Sequence, residues 1–186
     1  METVRSEDLL QHVQLLADDT FEGRDAGSAG GHAASKYLAM FFEKYGLEPA
    51  GDPGSFLQGF GQNYRNILGI WRGTDPDLAD EFIVIGAHFD HVGYGSRNNS
   101  FGPYGVVHNG ADDNASGTSA LLELIEALAD SELRPRRSIL FCLWDAEENG
   151  LLGSKHWLDQ PTVPLTSVRF SINLDMIGRL RQERLM

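Results

Sequence analysis

Cysteine is almost absent: Cys142 is the only one in 186 residues. That excludes an internal disulfide and a cysteine-built zinc knuckle. Its place inside "SILFCLW" marks it as a packing residue rather than a nucleophile. No apolar run approaches the ~18 residues of a membrane span. Basic residues are outnumbered, 15 Lys and Arg against 27 Asp and Glu, for a net charge of −12. Nucleic acid and anionic membrane both require basic patches, so neither is expected as a partner. The H-E-x-x-H and G-x-S-x-G signatures are missing, "GLLGSK" departs from the phosphate-loop pattern, and "DAGSAGGH" lacks dinucleotide-binding spacing. The opening "METVRSEDLLQHVQLLADD" is acidic and polar, unlike a secretion leader, although a leader cleaved from a longer precursor would leave no trace in it.

What is present is an ordinary globular composition, 41% hydrophobic and 23% charged, with a core-sized length. Apolar spacing predicts a helix from Ser6 to about Asp18, with Leu9, Val13 and Leu16 on one face and Ser6 as cap. A second helix is predicted from about Gly30 to Tyr45, stopped by Gly46. "NILGIWRG" and "EFIVIGAHFD" read as strands, and the polar "TDPDLAD" between them predicts a hairpin. A long Gly- and Asn-rich loop follows, then a helix, "SGTSALLELIEALAD". "RSILFCLWDAEE" and "VRFSINLDMIG" read as strands buried on both faces, with a short helix, "LLGSKHWLDQ", between them. Strands alternating with helices predict an α/β three-layer sandwich: a mixed, mainly parallel sheet flanked by helices.

Chemistry-bearing residues gather at the strands' carboxyl ends, where open α/β sheets form their ligand sites. The first strand end offers His88 and Asp90, the second Asp145, Glu147 and Glu148, the third Asp175. Asp112 and Asp113 stand just ahead of a helix. Singly, each has a plain structural reading as a cap, a turn residue or a core histidine. Together, one imidazole and several carboxylates converge on one rim, a set that suits zinc, with manganese or cobalt as alternatives.

The blocks "GAHFDHVG", "NGADDNASG", "WDAEENGLLGS" and "NLDMIGR", in that order, resemble the co-catalytic di-zinc aminopeptidases, which include the bacterial leucine-type enzymes. "LADDTFEGRDAGSAGG" and "FFEKYGLEPAG" are similar to that family's leading segment. The resemblance implies one zinc-peptidase catalytic domain over residues 1–186. About 1–60 would be an N-terminal helical segment and about 64–186 the metal-binding α/β core of a phosphorylase/hydrolase-like fold. It implies that His88 and Asp175 bind one zinc, that Asp113 bridges two, and that Glu148 binds the second. Glu147 would be the general base acting on a metal-bound water, and Asp90 would accept from the His88 ring. The implied activity is removal of N-terminal amino acids from peptides. A single-zinc glutaminyl-cyclase-type acyltransferase and a non-catalytic binding domain share the scaffold and stand as alternatives.

The resemblance breaks at one point. The family has a further histidine ligand well beyond the "NLDMIGR" block, and here only "LRQERLM" follows. On that reading the domain is incomplete at its C-terminus, the second zinc is weakly held, the activity of this chain alone is low or absent, and an exposed sheet edge favours self-association. His108 is the best substitute ligand; His91 reads as structural or as a support to the ligands, and His12, His32 and His156 as surface or core. Tyr94, Phe101 and Tyr104 are candidates to shape a pocket. Relatives are often exported, and a single cysteine is compatible with that.

Overall fold

The most apolar segment becomes the middle of the sheet. In the computed structural model, which describes residues 4–181 together with 184 and 185, β5 (Ser138–Trp144) is buried along its whole length. Its side chains alternate between two cores, as a pleated strand requires. Phe141 and Leu143 face one layer with Leu38, Phe42, Leu121 and Ile125. Leu140, Cys142 and Trp144 face the other with Leu68, Val84 and Trp157. The first layer is built by α1 (Ser6–Leu16), α2 (Ala29–Lys44) and α3 (Gly117–Asp130), the second by α4 (Leu152–Asp159). This is the three-layer arrangement expected from the alternating pattern.

Strands β1 (Glu48–Pro49), β2 (Leu57–Phe60), β3 (Tyr64–Trp71), β4 (Phe82–His88) and β6 (Val168–Asn173) complete the sheet, in the order β1-β3-β5-β4-β6, with β2 also on β3. β4 runs parallel to both β5 and β6, whereas β3 is antiparallel to β5, β1 and β2. The expected β3–β4 hairpin does not form, because β5 lies between them. The connector packs instead on the segment leading into β5: Thr74 donates to the Pro135 carbonyl, and Arg136 pairs with Asp75 at 2.8 Å. Two apolar strands thus each gain the most apolar strand as neighbour.

The helices start close to expectation. Ser28 Oγ caps α2 by accepting from the Gly31 amide, and Gly46 follows it in the left-handed conformation a helix stop favours. Ser6 is the first residue of α1 rather than its cap; Arg5 holds that place without a side-chain bond. The larger departure is β6. Expected to be buried on both faces, it is exposed from Arg169 onward, with Phe170 at 60% and Ile172 at 40%. It stands at the sheet's edge, where β4 is its only strand neighbour among the described residues. Two short antiparallel strands, β7 (Leu180–Arg181) and β8 (Arg184–Leu185), follow it.

Candidate metal centre

Register brings three strand ends to one height. His88 pairs with Trp144, so β4 and β5 finish level. Gly86 pairs with Asn173, which places Asp175 beside His88 two residues further on. His88 is buried, and Thr118 Oγ1 at the start of α3 donates to its carbonyl at 2.9 Å. Its Nε2 points out of the sheet end, 3.2 Å from Asp113 Oδ1, 3.4 Å from Asp175 Oδ1 and 3.9 Å from Glu147 Oε2. Its Nδ1 lies 3.2 Å from the Asp90 carbonyl and 3.6 Å from the Asp90 carboxylate.

The Asp90 carboxylate has another task besides facing His88. One oxygen accepts from the Glu147 amide at 3.0 Å and the other from the Glu148 amide at 3.2 Å. A buried carboxylate therefore shapes the turn after β5 and sends the two adjacent glutamates in different directions. Asp145, the first acid of that turn, is structural: it accepts from the Arg65 and Ala146 amides.

The two aspartates before α3 also separate. Asp112 accepts from the Gly178 amide and lies 2.8 Å from Arg179 Nε, which ties down the segment after Asp175. Asp113 turns toward His88 and His91. The residue after it, Asn114, is fully buried and joins both ligand segments. Its amide donates to the Leu174 carbonyl at 2.9 Å and accepts from the Met176 amide at 3.3 Å, either side of Asp175.

A second group lies on the far side of Asp113. His91 Nδ1 is 2.7 Å from Glu148 Oε1 and 4.0 Å from Asp113 Oδ2. Two sets of three donors result, His88–Asp113–Asp175 and His91–Asp113–Glu148, each with its atoms within 4.8 Å of one another. Asp113 belongs to both and offers a different oxygen to each. An imidazole with two carboxylates at these spacings fits a divalent ion of the zinc type. His108 joins neither set: its Nε2 faces the Pro103 carbonyl at 2.7 Å within its own loop. His91, expected as structural or as a support to the ligands, stands in the second set, and its closeness to His88 along the chain is the one sequence signal for it. A further trio, His12, Glu123 and Glu126, lies among α1 and α3, apart from this rim.

The charges respond to this crowding. Burial alone would lower the His88 imidazole. Hydrogen bonds to Asp113 and Asp90, with the charges of Asp90 and Glu147, outweigh it and push the group up to about 11. The His88 hydrogen bond in turn holds Asp113 below the usual carboxylate range. Burial raises Glu147, with Asp90, Glu148 and Asp175 adding to the rise and His88 opposing it. Beside Glu147 opens a groove of about 570 Å³, lined by Val84, Trp144, Leu151, Trp157, Leu158 and Val168. Tyr94, Phe101 and Tyr104 do not line it, and all three are exposed.

Known proteins share this architecture. The chain is 31% identical over 173 residues to leupeptin-inactivating enzyme 1 of Streptomyces exfoliatus, which takes in 91% of this chain and 34% of that enzyme. A leucine aminopeptidase precursor from Bacteroides thetaiotaomicron has the same fold, with a TM-score of 0.70 at 25% identity, over 94% of this chain and 63% of that one. A glutaminyl cyclase from the same organism matches with a TM-score of 0.70 at 25% identity, covering 62% of its length. This chain thus spans about a third of the first relative and under two thirds of the other two. The model of peptidase family M28 matches residues 66–186, the stretch that carries every strand end described above, and the chain belongs to that family.

Proposed function

We propose that this rim is the centre of a zinc-dependent aminopeptidase that removes N-terminal amino acids from peptides. The observation that carries the reading is the placement of Asp113, with one oxygen toward the His88 group and the other toward the His91 group, and Glu147 beside it. His88 and Asp175 would hold one ion and His91 and Glu148 a second, with Asp113 within reach of both groups. When bound, zinc polarises the scissile carbonyl and acidifies water. Glu147 would take a proton from the attacking water and pass it to the departing amine. Its raised proton affinity, set chiefly by burial, suits a group that must hold a proton briefly. The Asp90 carboxylate keeps Glu147 turned to this task while Glu148 turns to the other ion.

Each histidine must give up a hydrogen bond before it holds an ion, His91 its 2.7 Å bond to Glu148 and His88 its bond to Asp113. The apolar groove next to Glu147 supports a preference for apolar N-terminal side chains. Hydrolysis of aminoacyl arylamides, with zinc and with chelator, tests the activity, and leucine against glutamate arylamides tests the groove. A folded, zinc-loaded chain that cleaves none of them refutes the peptidase reading. Cyclisation of a peptide with N-terminal glutamine, without arylamide hydrolysis, would assign the site to the cyclase chemistry of the same fold.

A further inference from the structure

Arg24 belongs to neither set of metal donors, yet it heads the fully buried side chains by volume. The segment that carries it is contorted. Glu22, Gly23 and Arg24 are left-handed in succession, with φ of 50°, 68° and 51°, a region that strains residues other than glycine. A side chain at position 23 would run into the Gly93 and His108 carbonyls. The contortion aims a guanidinium at four backbone carbonyls. Nε donates to Phe89 at 2.8 Å, Nη1 to Leu16 and to Asn109, the latter at 2.7 Å, and Nη2 to Gly110 at 2.9 Å.

Those carbonyls are informative. Phe89 stands between His88 and Asp90, and Asn109 and Gly110 lead into the turn that carries Asp113. The main chain adds two ties, from the His91 amide to the Arg24 carbonyl and from the Gly93 amide to the Gly23 carbonyl, both at 3.2 Å. Among the described residues, no carboxylate is a hydrogen-bond partner of the guanidinium. Burial lowers it to about 10, against the opposing pull of the Asp90, Asp113 and Glu148 charges, which leaves it charged.

We propose that Arg24 is a positioning residue of the metal centre: its fork of donors fixes the β4 end against the Asp113 loop, and so fixes the spacing of His88 and Asp113. The inference rests on the metal-centre reading above. A lysine keeps the charge, but its compact ammonium on a flexible stem cannot span carbonyls spread over three segments.

The test compares zinc affinity, from competition with a chromogenic chelator, and the visible absorption of the cobalt-loaded protein. It uses the native chain, Arg24→Lys, Arg24→Met and, as a control, Leu38→Ala in the core of α2. Arg24→Lys is expected to keep native circular dichroism, to bind zinc about 10-fold more weakly, in the range typical of groups that support ligands, and to shift the cobalt bands. Arg24→Met should bind more weakly still, and Leu38→Ala should lose stability while binding zinc like the native chain. Native affinity and spectrum in Arg24→Lys would overturn the proposal. So would an equal loss of affinity in Leu38→Ala, since the effect would then be one of stability alone. If Arg24→Met fails to fold, the lysine variant decides. A native chain that binds no zinc sinks the metal-centre reading and this inference together, whereas tight native binding that Arg24→Lys leaves intact sinks only this inference.

Discussion

Strands β5 and β6 look alike in sequence, two apolar runs each ending in acidic residues, and the fold treats them oppositely. β5 is buried throughout and has strands on both sides; β6 is exposed along most of its length and has β4 alone as a strand neighbour among the described residues. Their ends differ in the same sense. The turn after β5 is clamped by a buried carboxylate and sends Glu147 and Glu148 to separate positions. The end of β6 delivers Asp175 with a side chain 45% exposed, held through its neighbours by Asn114. Apolar content makes a strand; its place in the sheet order decides what that content is for.

The largest expected difference between the two ends is in turnover. On the proposed mechanism, Glu147→Gln lowers kcat by about 10²–10⁴-fold while zinc content by metal analysis stays native. A zinc-loaded variant with near-native turnover would remove Glu147 from the chemistry and leave the β5 end only a ligand carrier.

Stability should separate the strands next. Leu140→Ala on β5 is expected to cost about 2–5 kcal/mol in denaturant unfolding, the range for a fully buried leucine. A cost below about 1 kcal/mol would show that the centre of the sheet tolerates a cavity and that the contrast with β6 is overstated.

A smaller effect should appear with pH. Burial pushes Asp145, in the turn after β5, up to about 7 from an ordinary 3.8. Below about pH 4 the group is protonated in both folded and unfolded chains and contributes nothing. Between about 4 and 7 the unfolded chain ionises first, so this group lowers stability as pH rises, and above 7 the penalty is fully present. Melting curves of the native chain and Asp145→Asn should therefore diverge across that window, with a flatter profile for the variant. Parallel profiles would show that Asp145 ionises freely.

Least of all should follow from Ile172→Thr on β6, within about 0.5 kcal/mol, as for an exposed position away from special features. A cost as large as that of Leu140→Ala would mean that the β6 face is covered in solution, as association with a second copy along this edge, unpaired among the described residues, would do. Sedimentation of the native chain would then show a dimer.

The residues at the strand ends were legible in the sequence because each signal is local: an apolar run, then the acids that terminate it. The separation of Asp113 from Asp112 rested on the family resemblance, and the structure gives its physical basis, since Gly178 and Arg179 occupy Asp112. The exposure of β6 was not legible, because edge and centre differ in topology rather than composition. The β3–β4 hairpin failed for the same reason: a polar connector permits a turn but cannot say whether a later strand will take the place beside it. The contact of His91 with Glu148 and the grip of Arg24 on the Asn109 and Gly110 carbonyls were not legible, because those partners lie far along the chain.

Asn114 gives the edge strand a voice in the chemistry. One side-chain amide grips the main chain on both sides of Asp175 while its own backbone continues from Asp113. The segment that follows the edge strand and the carboxylate shared by the two donor sets are therefore held together through a single residue. Any displacement of that segment would change where Asp113 stands between His88 and His91, so the edge of the sheet and the spacing of the proposed ion sites would be coupled.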